Sequence, residues 1–340
     1  MAERKQFRCG VVGYGGAFNM ARAHLASMQK NPGMMAVAVC ELDESRRAVA
    51  EEDFPGISTY GSVGHMLRHA NLDLVSIITP HNTHAQLALK CLDAKVGVVV
   101  EKPMAISSKE VKAMIAMAKR RRVMLSTFHN RRWDGDFMLL RDLIQKEKMI
   151  GKVFRVEAGF GGYGKARDWW RANKKISGGA IYDWGAHFTD WILNLVNDDI
   201  DWVSGYQVKN KEWAKDYTNE DHSEYFLKFK KGCVANLMIS NMALSSRPKW
   251  RILGDRGSIE AVGGNEFLVK SMINGRQMET TAKPSDSSWD AYYKNVCRHL
   301  QGRAKLVITA ESAARVIGVL EAANVSAIKL GGKPVRPAFI

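Results

Sequence analysis

The sequence predicts an α/β fold: a doubly wound parallel sheet over the amino-terminal third, then an α+β domain organised on a mostly antiparallel sheet. Three observations carry that prediction. Up to about residue 127, short apolar runs alternate with helical patterns, the βαβ rhythm that requires parallel strands joined by crossovers. A glycine-rich turn separates the first apolar run from the first helical pattern. Later in the chain, strand-like runs follow one another with turn residues between them, as antiparallel neighbours do.

The elements follow in order. Phe7–Val12 is the first expected strand, residues 17–28 the first helix, and residues 35–40 the second strand. Residues 43–52 form a helix with Asp43 as its cap. Residues 74–78 and 96–100 are buried-type strands, with a helix over 83–94 between them. A helix over 107–122 begins with Ser107 and Glu110 at the spacing of a capping box, and residues 123–127 close the series. Lys119-Arg120-Arg121-Arg122 ends that helix, where cations complement the dipole. Beyond residue 130, a helix is expected over 136–148, then a strand over 152–160 that alternates Phe154, Val156, Ala158 and Phe160 with polar partners. A glycine-flanked helical segment covers 178–196. Strands are expected at 202–208, 225–229, Val234–Ser240, 250–253 and 258–262, the last two joined by a turn at Gly254-Asp255-Arg256-Gly257. Two late helices cover 289–300 and 309–330. The change in pattern places domains at 1–128 and 129–340.

Bulk composition agrees with two packed domains. The 340 residues suggest two cores, and 46% hydrophobic with 25% charged residues excludes a disordered chain. No run approaches the roughly 18 apolar residues of a membrane helix. Five cysteines are scattered without C-x-x-C spacing, so neither a disulfide framework nor a zinc module is expected, and no metal site. The amino terminus shows no export signal, and a cytoplasmic location is expected. The formal charge of +15 favours an anionic ligand. Basic residues are spread along the chain, so nucleic-acid binding rests on charge alone and is not expected.

Gly13-Tyr14-Gly15-Gly16-Ala17-Phe18 follows the first strand and opens the first helix. Gly13 permits a tight turn, Gly15 lets the backbone approach a pyrophosphate, and the helix start offers amides to that anion. Phe18 stands where the usual fingerprint has Gly or Ala. Glu41, at the end of the second strand, suits the ribose 2′-hydroxyl of NAD, while Arg46 and Arg47 just beyond it leave NADP open. Two further strand ends face the ligand side of such a sheet. One runs Thr79-Pro80-His81-Asn82-Thr83-His84, with His84 as an early helix residue, and the other Glu101-Lys102-Pro103. Lys102, directly after a buried strand, is an ordinary loop lysine or a functional cation at the crevice. In a helix, Asp183, His187 and Asp190 would share one face, where a carboxylate can orient an imidazole for general-base work.

The glycine turn, Thr79-Pro80 with His84, Glu101-Lys102-Pro103 and the Gly-Gly-Ala segment through Asp183-x-x-x-His187-x-x-Asp190 together resemble the Gfo/Idh/MocA oxidoreductase family. The stretch from Phe128 to Asp134 and Trp170-Arg171 are similar to the branch that contains scyllo-inositol dehydrogenases. The resemblance implies a Rossmann domain followed by an α+β domain with a large open sheet, NAD or NADP as cofactor, and a polyol, cyclitol or sugar as substrate. It implies a homodimer or homotetramer. It assigns Lys102, Asp183 and His187 as the catalytic set. Around the cofactor or substrate it places Gly13, Gly15, Gly16, Ala17, Phe18, Glu41, Thr79, Pro80, Asn82, His84, Glu101, Arg131 and Trp170. Trp169, Trp184 and Trp191 are available as an aromatic wall, with Trp184 and Trp191 equally suited to a core. Two other activities occur on this architecture: dinucleotide and sugar sensing without turnover, and redox-assisted glycoside cleavage.

Overall fold

A computed structural model describes residues 6–15, 19–165, 169–213, 217–245 and 247–340. The chain divides into two compact units, one of Met1–His129 with Asp290–Ala313 and one of Asn130–Trp289 with Ala314–Ile340.

The first unit is built on six parallel strands: β1 (Phe7–Val12), β2 (Met34–Cys40), β3 (Ser58–Tyr60), β4 (Leu74–Ile77), β5 (Gly97–Val100) and β6 (Leu125–Thr127), in the order β3-β2-β1-β4-β5-β6. Every residue of β4 and β5 is buried, as expected for strands covered on both faces. Helices α1 (Met20–Gln29), α2 (Glu44–Asp53), α3 (Val63–His69), α4 (His84–Asp93) and α5 (Ser108–Arg121) make the crossovers. The order reverses at β1, which pairs with β2 on one side and β4 on the other, so ligand is expected beyond the carboxyl ends of these strands. The caps are as expected: Asp43 accepts from the Ser45 amide, and Ser107 accepts from the Glu110 amide and donates to its carboxylate. Strand β3 and helix α3 were not anticipated, since three and seven residues are too short to show a period.

In the second unit, α6 (Gly135–Arg141) continues as a wider turn over Asp142–Lys146. Eight strands follow: β7 (Val153–Gly161), β8 (Ile200–Val208), β9 (His222–Phe229), β10 (Val234–Ser240), β11 (Trp250–Gly254), β12 (Gly257–Val262), β13 (Glu266–Ile273) and β14 (Arg276–Ala282). Their order is β14-β13-β12-β11-β7-β10-β9-β8, with β7–β10 the parallel pair and the other pairs antiparallel. Val156 and Ala158 of β7 are buried, but Phe154 and Phe160 on the same face are half exposed at 51% and 48%, so the alternation marked the strand without marking its burial. Strands β13 and β14 also escaped the sequence reading, and β14 is exposed over most of its length with no apolar face to betray it.

The helix expected over 178–196 is broken. Lys174–Ser177 forms a short helix, α7, and Gly178 and Gly179 then take φ of 88° and 128°. A single turn at Ala180–Tyr182 leads to Asp183, and α8 begins only at Trp184 and runs to Val196. A Cβ on Gly179 would meet the Glu220 carboxylate at 2.9 Å, so glycine is needed there for both space and conformation. Phe188, Trp191 and Trp250 pack ring to ring in the core under α8. Two late helices complete the chain, α9 (Asp290–Leu300) and α10 (Ala310–Lys329). Helix α9 returns to the first unit, where Tyr292 hydrogen bonds with Ser126 and Tyr293 with Ser76. Among the described residues, no helix is long and apolar enough to cross a membrane, and no group of three His, Cys, Asp or Glu is placed to hold a metal ion.

Candidate active site

In the first unit, the turn after β1 is shaped by Gly13, whose φ is 94°. A Cβ there would come within 2.4 Å of the Ile78 carbonyl oxygen, so only glycine lets β1 pass this close to the end of β4. Gly15 is open, with the tip of Arg46 as the neighbour a Cβ would meet, at 3.4 Å. Gly16, Ala17 and Phe18 lie outside the described residues. Glu41 sits one residue past β2, and its carboxylate accepts the amides of Tyr14 at 2.6 Å and Asp43 at 3.1 Å. Arg47 is spent on the carbonyls of Glu41 and Leu42. Tyr14 turns inward to donate to Asp53, and burial with that hydrogen bond pushes its hydroxyl up to about 12. An open glycine cradle, a helix start and a fixed carboxylate beyond the second strand fit a dinucleotide.

The tips of β4 and β5 lie side by side. Thr79 and Thr83 share a hydroxyl hydrogen bond of 2.7 Å, and Thr83 also donates to the Pro80 carbonyl, which leaves Asn82 exposed at the crest of the turn. His84, the first residue of α4, is buried rather than open to ligand: its ring nitrogens lie 2.8 Å from the carbonyl oxygens of Pro103 and Thr79, tying the two tips together. Burial pushes that imidazole below its ordinary range, against the hydrogen bonds to Pro103 and Thr79. Glu101 accepts from the Lys102 amide at 2.9 Å and pairs with the buried His24 at 3.1 Å. Burial would raise the Glu101 carboxyl, but the His24 hydrogen bond, together with His24 and Lys102, holds it below its ordinary range.

In the second unit, Asp183 precedes α8 and His187 lies within it. The helix expected through Asp183 is not formed there: Asp183, the residue before α8, has φ −81° and ψ −89° and lies beside Arg171, with the closest N–O distance at 3.8 Å. Asp190 is buried in a bidentate pair with Arg132, at 2.8 and 2.6 Å, so it serves that arginine. Arg131 lies over the rings of both Trp184 and Trp289, at 4.8 and 5.2 Å, and pairs with Asp134. Burial lifts the Asp134 carboxyl above its ordinary range, although Trp289 donates to it and Arg131 lies beside it. Arg171 lies over Trp169 and Trp170. Trp184 stacks on Phe160 and meets the His187 ring edge-on. Trp191 is core, buried and donating to the Arg131 carbonyl.

Two family models match this chain. Residues 7–129 match the oxidoreductase family with an NAD-binding Rossmann fold, and residues 137–260 match the Gfo/Idh/MocA C-terminal domain. The chain belongs to the Gfo/Idh/MocA oxidoreductase family. Its first unit is therefore an NAD-binding Rossmann domain. Over 189 residues the chain is 33% identical to the uncharacterized oxidoreductase YdgJ of Escherichia coli, a match that spans 55% of this chain and 53% of YdgJ. It is 24% identical to scyllo-inositol 2-dehydrogenase (NADP(+)) IolW of Bacillus subtilis over 93% of this chain and 92% of that one. The fold also matches the WlbA dehydrogenase of Bordetella pertussis, solved with NADH and UDP-GlcNAcA, with a TM-score of 0.80 at 21% identity over 99% of this chain and 100% of that one.

Several residues that hold the candidate groups within each unit carried no sequence signal of their own. His24 lies inside an ordinary helical pattern, Tyr293 is far along the chain, and Trp289 and Asp134 enclose Arg131 from different segments. Only Asp134 belonged to a segment singled out by motif.

Proposed function

We propose that the protein is an NAD(P)-dependent dehydrogenase acting on a secondary hydroxyl of a polyol, cyclitol or sugar derivative. The observation that carries this reading is the junction of β1, β4 and β5, where the Gly13 turn, the Thr79–His84 turn and Glu101-Lys102 stand at adjacent strand ends. Similarity to IolW along nearly the whole chain supports a cyclitol or a related sugar. When bound, the nicotinamide cofactor supplies the hydride acceptor.

Gly13 and Gly15 admit the pyrophosphate, Glu41 receives the adenosine ribose, and Thr79, Pro80, Asn82 and Glu101 line the side towards the nicotinamide. Lys102 Nζ donates a hydrogen bond to the hydroxyl oxygen and stabilises its negative charge as the proton leaves. His187 accepts that proton, and Asp183 orients and charge-balances the imidazole. Arg131 and Trp170 border the cofactor or substrate. The decisive assay incubates the protein with NAD or NADP and a panel of cyclitols, sugars and sugar acids and follows the absorbance of reduced nicotinamide. Turnover of at least one polyol supports the reading. A tightly held dinucleotide that no member of the panel reduces overturns it in favour of a sensor.

A further inference from the structure

Behind Glu101 and Lys102 the first unit holds a buried polar chain that the proposed chemistry does not use. His24, on α1, is 1% exposed and places Nε2 3.1 Å from the Glu101 carboxylate and Nδ1 2.5 Å from the Tyr293 hydroxyl. The Tyr293 hydroxyl in turn lies 2.7 Å from Ser76 Oγ on β4. Phe128 packs on the His24 ring with centroids 4.1 Å apart, and Tyr293 meets that ring edge-on. Buried polar groups are costly unless paired, and an apolar cluster of the same volume would fill this core more cheaply.

The hydrogen bonds run in one direction. The Glu101 carboxylate can only accept, so His24 Nε2 donates to it. In the neutral ring, Nδ1 then accepts from the Tyr293 hydroxyl, whose oxygen accepts from Ser76. The far end of the chain is Glu101 Oε2, which receives the Lys102 amide at 2.9 Å. One network thus joins the helix that follows the glycine turn, the neighbouring strand β4 and helix α9 to the peptide group of Lys102.

We propose that His24, Tyr293 and Ser76 are positioning residues: they hold Glu101 against the Lys102 amide and so set the lysine at the tip of β5. The inference rests on the assignment of Lys102 under Proposed function, so its test has one arm independent of turnover.

Three variants separate the contacts. His24→Gln can present its amide nitrogen where Nε2 stood and keep the donation to Glu101. His24→Asn reaches only the Nδ1 position, and His24→Leu keeps neither. In the first arm, amide hydrogen exchange at Lys102 is measured without cofactor. Exchange is expected to quicken about three- to tenfold in His24→Leu and His24→Asn, the change produced by losing one net hydrogen bond, and to stay near wild type in His24→Gln. Unchanged exchange in His24→Leu, or equal acceleration in all three variants, overturns the relay whatever the activity. In the second arm, with a polyol that the wild type oxidises, kcat should fall about tenfold or more in His24→Leu and His24→Asn and recover in His24→Gln, while the Kd for NAD and the KM for the polyol change less than about threefold. A loss of kcat that tracks thermal stability across the three variants, without recovery in His24→Gln, also overturns it. If exchange responds as expected while no polyol is oxidised by the wild type, the relay stands and the dehydrogenase reading falls.

Discussion

Glu41 Oε2 lies 2.6 Å from the amide nitrogen of Tyr14, and Oε1 of the same carboxylate accepts the Asp43 amide. The residue expected to meet the cofactor ribose therefore also braces the glycine turn, which fixes a negative charge just beyond β2. A 2′-phosphate brought there meets like charge, and such juxtapositions cost several kcal/mol. Glu41→Ser should raise NADP affinity relative to NAD by about tenfold or more, read by fluorescence titration with both dinucleotides. An unchanged ratio would remove Glu41 from cofactor choice.

The two described glycines of the turn should respond differently to alanine. At Gly13, with φ of 94°, the new Cβ would press to within 2.4 Å of the Ile78 carbonyl. Gly13→Ala should lose about 1–3 kcal/mol of stability as well as dinucleotide binding. At Gly15 the new Cβ meets only the end of the Arg46 side chain. Gly15→Ala should keep the wild-type Tm and weaken NAD binding alone. Thermal melts with and without NAD distinguish the pair, and equal losses of Tm would contradict the geometry.

His187→Ala tests the assigned base. A positioned general base contributes about 10²- to 10⁴-fold, so kcat should fall by that factor while the Kd for NAD stays within about threefold. Wild-type turnover in this variant would exclude His187 from the proton transfer.

Arg132 and Asp190 form a buried, bidentate pair. Removing one partner strands a charge in the core, and Asp190→Ala should cost about 3–5 kcal/mol. Replacing both together, as Arg132→Met with Asp190→Leu, should recover much of that loss. Chemical denaturation followed by tryptophan fluorescence checks this, because Trp191 is the residue after Asp190 and is buried. A double variant as unstable as the single one would show that the pair does more than satisfy itself.

The Glu101 carboxyl is held below its ordinary value near 4.5 by His24 and Lys102, against the effect of burial. A carboxylate depressed on folding stabilises fully above its unfolded pKa and loses that contribution as pH falls through its folded value. Wild-type Tm should therefore drop below about pH 4.5, and Glu101→Gln, which cannot titrate, should show a shallower drop. Parallel Tm curves for the two proteins from about pH 3 to 6 would contradict the assignment.

What could be read in advance was local. The Asp43 and Ser107 caps needed only a few consecutive residues, and the Gly13 turn, Glu41 and Glu101-Lys102 are legible because each stands next to its own apolar strand. The break before α8 was harder: Asp183 to Asp190 has helical spacing, but the positive φ at Gly178 and Gly179 and the Glu220 carboxylate behind them start the helix later than periodicity implied. Strand β14 had no buried face to announce it.

Taken alone, the order of amino acids determined the alternation of strands and helices, the glycine turn and the residues placed at each strand end, because these depend on periodicity and on backbone freedom at single positions. Only tertiary structure decided which polar groups are partners. Asp190 meets an arginine 58 positions away, and His24 meets Glu101 and Tyr293 across 77 and 269 positions. Such pairings arise when packed elements strip water from polar groups and each must find whatever donor or acceptor the fold has brought near, a selection that leaves no trace in local sequence.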